Sequence, residues 1–270
     1  MHSLDLIAGW PVENASATVV SDSGVVDRYG DLDRVYELAS VTKLLVAYAA
    51  LVAIEEEAIA LDQPAGPEGS TVRHLLAHTS GLAFADQQVQ AKPGTRRIYS
   101  SAGFEVLADT IAAETGIAFE NYLAEAVFHP LGMTNSVLGG PAGHGARSSA
   151  NDLSAFAAEL LDPQLLAADT VNSAVTVQFE GLAGVLPGYG SQKPNDWGLG
   201  FELRDSKSPH WTGLRNSTRT FGHFGQSGTF LWVDPDARLA TVVLTDMAFG
   251  EWAKPLWPEL SDEIIGNNTR

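Results

Sequence analysis

The chain has 270 residues, 45% of them hydrophobic, with a mean hydropathy of +0.00 and a formal net charge of −17. A chain of this length buries a core that needs no metal or disulfide staple, and the absence of cysteine excludes thiol catalysis, iron–sulfur clusters and cysteine-ligated zinc. The acidity repels a phosphate backbone over most of the surface, which argues against nucleic acid as a partner.

The opening stretch MHSLDLIAGWPVENASATVV has no basic segment leading into a long apolar one, so no secretory signal is read and a cytoplasmic location is expected. ASATVVSDSGVVDRYGDLD reads as two short strands around a Ser-Asp-Ser-Gly turn. A helix opened by ASVTK follows, with apolar residues at Val41, Leu44, Leu45, Tyr48, Leu51 and Val52 in helical spacing. Its apolar run, 44–54, falls short of the roughly 18 residues of a membrane span, so no membrane partner is expected.

Residues 61–169 read as mostly helical. Within them SSAGFEVLADTIAAETG carries a serine cap, an apolar stripe and a C-terminal glycine, and SSANDLSAFAAELLD looks alike. GLAGVLPGYGSQKPNDWGLG is rich in glycine and proline and reads as loop. GTFLWVDPDARLATVVLTD is a hairpin joined at Asp-Pro-Asp-Ala-Arg, and LWPELSDEIIG is expected to close the chain as a helix after Pro258. The fold class expected is α+β: an antiparallel sheet built from the N- and C-terminal segments, flanked by helices, with a mostly helical lobe inserted. Residues 1–60 and 170–270 would form the sheet lobe, 61–169 the helical lobe, in one intertwined catalytic unit. A cleft between lobes is where a small-molecule site belongs.

Ser40 and Lys43 lie three positions apart, which on a helix places them on one face a turn apart. A serine hydroxyl attacks poorly until its proton is removed. A neutral amine can remove it, and burial favours the neutral amine. At a helix start, unpaired N–H groups also face any developing oxyanion. The plainer alternative is a capping serine followed by a lysine that snorkels outward.

Further segments follow in order: AHTSGLAF (77–84), KPGTRRIYSSAGFEVLADTIAAETG (92–116), HPLGMTNS (129–136) and FGHFGQSGTF (221–230). Together with ASVTK this series resembles the penicillin-recognising serine hydrolases, which comprise serine β-lactamases, DD-peptidases and related esterases, and most of all their class C branch. The resemblance covers about 36–246. It implies Ser40 as nucleophile, Lys43 as its proton-transfer partner and Tyr99 as the tyrosine of the Tyr-x-Asn element. A neighbouring cation is expected to lower the Tyr99 pKa. His223 takes the place of the Lys-Thr-Gly or His-x-Gly element, to orient the tyrosine or bind a polar part of the substrate. Gly225 is expected to let backbone approach the ligand, and the Gln226 amide to join that of Ser40 in holding an oxyanion.

Two departures bear on substrate. Ser101 stands where the family usually has asparagine, and HFG lacks a lysine. Both weaken the expected grip on a β-lactam amide and carboxylate, and favour ester or small-amide substrates. The resemblance thus implies a β-lactamase-related serine hydrolase that works through an acyl-enzyme on a small-molecule ester or amide and needs no cofactor. A D-alanyl-D-alanine carboxypeptidase or D-amino-acid amidase, or a penicillin-binding sensor that does not turn over, are the alternatives. His74 and His78 have the four-residue spacing of a ligand pair but lack the glutamate of a zinc protease, so no metal is expected. Trp197, Trp211 and Trp232 are read as packing residues ahead of an acyl-pocket lining.

Overall fold

The computed structural model describes residues 2–268. Strands β1 (Ala15–Ser21) and β2 (Gly24–Tyr29) form the first hairpin, turning at Asp22 and Ser23 as expected. β3 (Val35–Glu37) leads through a 3-10 turn, Ala39–Val41, into α1 (Thr42–Glu55). Next come α2 (Val72–Leu76), α3 (Ser101–Thr115) and α4 (Phe119–Leu123), then the short strands β4 (Val137–Leu138) and β5 (Ala146–Ser149). α5 (Ala150–Leu161) and α6 (Ala168–Ala174) precede β6 (Gly184–Leu186) and β7 (Gly190–Gln192). β8 (Glu202–Leu203), β9 (Phe221–Gly225), β10 (Thr229–Asp234), β11 (Leu239–Thr245) and α7 (Ala253–Asn268) complete the chain.

Six strands pair antiparallel in the order β2-β1-β11-β10-β9-β8, so the two ends of the chain meet at β1 and β11. This is the α+β architecture expected. Both faces of the sheet are covered, and the central strands are accordingly apolar at nearly every position. Alternation sorts their side chains. Leu231, Val233, Ala240, Val242 and Leu244 face the helices, whereas Phe230, Trp232, Leu239 and Val243 face α7 and the 3-10 turn Ser3–Gly9. α1 runs through the larger core with Thr42 to Leu51 buried, which explains a helix apolar on all sides.

Several segments depart from the sequence reading. The expected helical stretch 61–169 includes β4 and β5, which pair with β3 in a small second sheet, and α5, which packs on β1 and β11. The glycine-rich loop contains the β6–β7 hairpin. The last helix starts at Ala253 rather than after Pro258, because fully buried Ala253 and Trp257 anchor an extra turn against Phe224, Phe230 and Phe249. Buried Arg97 joins the helical region to the chain before β8, donating to the carbonyls of Ala77, Gln178, Phe179 and Asn195.

Candidate active site

The segment before α1 is clamped from two sides. Leu38 N donates to Ala146 O at 3.0 Å, and Ala146 N donates to Thr42 Oγ1 at 3.1 Å. From the β9–β10 turn, Ser227 Oγ donates to Glu37 O at 2.6 Å and Thr229 Oγ1 to Leu38 O at 2.9 Å. Between these clamps Ala39 is forced into a left-handed conformation, φ +46°. Such strain costs on the order of 1 kcal/mol or more and persists only where surroundings over-determine it. The outcome is a half-buried Ser40 at the head of α1.

Lys43 is fully buried one turn on. Its Nζ lies 2.7 Å from Gly143 O, 3.1 Å from Ser101 Oγ and 3.4 Å from Ser40 Oγ, over the rings of Tyr99 and Phe104. Burial drives its pKa down to about 7, with the Glu105 carboxylate opposing. The snorkelling alternative is therefore excluded. At neutral pH much of this amine is uncharged. Two of its N–H bonds then serve Gly143 and Ser101, and the lone pair is left for the Ser40 hydroxyl.

Tyr99 precedes the Ser100 cap of α3, whose Oγ accepts from Gly103 N at 2.9 Å. Ser100 N donates to His78 Nδ1 at 3.1 Å, which sets the turn. His78 has left α2, sits at φ +56° and is buried, so it does not share a helical face with His74. The Tyr99 hydroxyl meets the Ser40 hydroxyl on one side and His223 Nε2, at 3.2 Å, on the other. Contrary to expectation, the Tyr99 pKa moves up: burial dominates, the Ser40 hydrogen bond opposes it only in part, and the nearby amine loses its own proton near pH 7, well below the range in which a phenol titrates. Its phenol stays protonated.

His223 on β9 is buried and donates from Nδ1 to Phe224 O at 2.7 Å. Nε2 is thereby left as an acceptor for Tyr99. Burial and the Lys43 charge push the His223 pKa down to about 3, so this imidazole is neutral.

Gly225 also meets a packing requirement that the sequence did not show. A Cβ there would sit 2.2 Å from Leu38 O and 3.2 Å from Ala39 Cβ. The missing side chain lets β9 lie against the chain that presents Ser40. Gly225→Ala is expected to cost about 1–3 kcal/mol of stability, read as a lowered Tm, and to lose turnover as Ser40 moves relative to Gln226.

Ser40, Tyr99, His223 and Gln226 line one cavity of about 290 Å³ with Phe84, Leu186, Pro187, Trp197, Glu202 and Phe224. An adjoining opening brings Ser101 and His144 beside Ser40 and Gln226. Trp197 therefore lines the site, while Trp211 and Trp232 are core residues. A larger cleft of about 880 Å³ between α5, α6 and the far ends of β8 to β10 holds none of these site residues.

The sequence reading missed four features. Phe84, 56% exposed, is stacked on Tyr99 at the mouth. Glu202 closes the cavity and is paired with buried Lys207, His210 and Trp211. His78 sets the Tyr99 turn. Glu105 holds the turn opposite Lys43, and its place four residues after Ser101 on α3 was the one sequence signal available.

Among known proteins, a family model described as Beta-lactamase matches residues 12–260. The crystal structure of a beta-lactamase from Mycobacterium bovis is 59% identical, covers 99% of this chain and 100% of its own, and superposes with a TM-score of 0.98. Simvastatin synthase from Aspergillus terreus, in a mutant form, shares the fold at 19% identity, covering 98% of this chain and 93% of its own, with a TM-score of 0.79. An Escherichia coli O157:H7 protein with a provisional D-alanyl-D-alanine carboxypeptidase name is 22% identical over 224 residues, 62% of this chain and 49% of that protein. The chain spans about half the length of the curated E. coli relatives it matches. With the model match running over most of its length, the chain belongs to the Beta-lactamase family, the penicillin-recognising serine hydrolases that its motifs resemble.

Proposed function

We propose that the protein hydrolyses small esters of a compact apolar acid through an acyl-enzyme on Ser40. The observation that carries this reading is the Ser40–Lys43–Tyr99 cluster beside a ring-lined cavity of about 290 Å³. Neutral Lys43 takes the Ser40 proton as Oγ bonds to the substrate carbonyl. The carbonyl oxygen gains the charge and turns toward the backbone amides of Ser40 and Gln226. The bond to the alcohol breaks, and the departing alkoxide takes the proton held on Lys43, relayed by the Tyr99 phenol. Water repeats the sequence in reverse and frees the acid.

Ester preference rests on His223. Where a β-lactam carboxylate calls for a donor or cation, this chain offers a neutral ring whose free nitrogen is already an acceptor. A missing charged hydrogen bond is worth about 1.5–3 kcal/mol, roughly a ten- to hundredfold in rate. β-Lactam hydrolysis is the second reading, supported by the 59% identity to the M. bovis beta-lactamase.

Parallel assays with a p-nitrophenyl ester of a short fatty acid and a chromogenic cephalosporin separate them, with Ser40→Ala as background. Steady ester turnover well above cephalosporin turnover is expected. The reverse order establishes the second reading, and one stoichiometric burst followed by silence establishes a sensor.

The cavity lies inside a protein in which no helix among the described residues is long and apolar enough to cross a membrane. A small molecule entering from water is its expected partner, and the cytoplasm its expected location.

A further inference from the structure

We propose that Glu105 is the positioning residue for Lys43: its carboxylate holds the Ala142–Gly143 turn, and the Gly143 carbonyl in that turn seats the amine against Ser40. The inference rests on reading Lys43 as the group that takes the Ser40 proton.

The chain of contacts is short. Glu105 lies on α3, one turn past Ser101. Its Oε2 accepts from Ala142 N at 2.9 Å and its Oε1 from Gly143 N at 2.7 Å, so both oxygens of one carboxylate grip successive amides. The peptide so held presents Gly143 O to Lys43 Nζ at 2.7 Å, the shortest of the three bonds that amine makes. The turn otherwise relies on bonds within itself, His144 N and Gly145 N to Pro141 O and Gly139 N to Gly145 O. It lies flat on α3, where a Cβ on Gly143 would come within 2.9 Å of Ser101 Cβ and 3.0 Å of Ser101 O. Remove the carboxylate, and the turn keeps the buried Ala142 side chain but has no side-chain hydrogen bond to its amides that fixes the height of the Gly143 carbonyl above Lys43. A displaced carbonyl turns the lone pair of the amine away from Ser40.

The same residue acts on Lys43 through its charge. Lys43 is faced by Glu105 and Ser101 from α3, by Tyr99 just before it, by His78 from the turn after α2 and by His223 from β9, while His144 lines the opening beside Ser40 and Ser101. Burial with the Lys43 charge keeps His78 and His223 neutral, and burial keeps Tyr99 protonated. Glu105 is the carboxylate among these groups, and it favours the ammonium against the burial that disfavours it. It therefore holds the amine in place and also keeps it basic enough to accept a proton.

Two measurements test this. The first is the rate at which a fluorophosphonate labels Ser40 as a function of pH. The second is an NMR titration of carbon-13-labelled lysine, which reads Lys43 without any chemistry at Ser40. Glu105→Gln is expected to move the Lys43 midpoint to lower pH and to lower the plateau labelling rate about tenfold, since one amide oxygen replaces a two-oxygen grip. Glu105→Asp keeps the charge one methylene short, so its midpoint is expected to stay while its plateau falls.

A plateau lost in Glu105→Gln with an unmoved midpoint would make Glu105 a mere turn cap and overturn the proposal, as would full wild-type labelling. If Glu105→Gln does not fold, Glu105→Asp decides in its place: a lowered plateau supports the proposal, and a full wild-type plateau overturns it. Wild-type protein that resists labelling counts against the Ser40 reading, while the lysine titration still decides the role of Glu105.

Discussion

Lys43→Met is expected to lower ester turnover and fluorophosphonate labelling by about a thousandfold while leaving the melting temperature unchanged or raised. On the proposed mechanism the loss follows from removing the group that accepts the Ser40 proton, a role worth about 10² to 10⁴ in rate. The stability sign follows from burial. Folding brings the Lys43 pKa from 10.5 to about 7, so the buried charge is a penalty, present in full below about pH 7 and fading as pH rises toward 10.5. Methionine fills the same space without the charge. In the wild-type protein, labelling should rise with pH through a midpoint near 7, because the neutral amine is the competent form. No alkaline fall from Tyr99 is expected in the neutral range, since burial holds its phenol protonated. A Lys43→Met protein that keeps a tenth or more of wild-type labelling would remove Lys43 from the mechanism.

Lys207→Met is expected to have the largest effect on stability. The Lys207 amine is wholly buried and bonded to Glu202 Oε1 and to the carbonyls of Asp196 and Leu203. Glu202 Oε2 takes the remaining donors, His210 Nε2 at 2.8 Å and Trp211 Nε1 at 2.9 Å. Removing one partner strands a carboxylate in the core, at about 3–5 kcal/mol. For a chain of this size that is roughly 6–20 °C in Tm. Glu202 also closes the Ser40 cavity, so the ester turnover proposed for this site should fall with stability.

Adding Glu202→Gln to Lys207→Met should recover part of the loss, because the stranded charge disappears. The pH dependence has a defined sign. Burial alone would raise the Glu202 carboxyl, but Lys207 and His210 outweigh it and hold it at about 2. Its contribution is present above about pH 4.5 and is lost as pH falls toward 2. A single variant that melts within about 2 °C of wild type would mean the pair adds nothing.

Much of the site is legible because each local device is written in adjacent residues. Ser40 and Lys43 share a turn, Ser100 caps the helix that follows Tyr99, and Gly116 ends it at φ +70°. Glu202, Lys207 and His210 carry no such mark. They belong to a strand and a loop, and only pairing of β8 with β9 brings them under the cavity. The His74–His78 spacing shows the converse: adjacent letters carry no joint function here, because α2 ends at Leu76 and His78 turns away. Tyr99 is a third case, since its pKa depends on how far burial discharges the lysine beside it.

By itself the sequence determines the strongest pieces: the first and last hairpins, the helices that start near Ser40 and Ser100, the order of hydroxyl, amine and phenol, and the family pattern they make. Those properties depend on neighbours a few bonds away. The tertiary structure alone decides that the Lys43 amine loses its proton near pH 7, that His223 offers an acceptor and not a charge, and that Gly225 lets β9 lie against the backbone beside Ser40. Each of these depends on desolvation and on contacts between segments scores of residues apart, and neither quantity exists until the chain has closed around them.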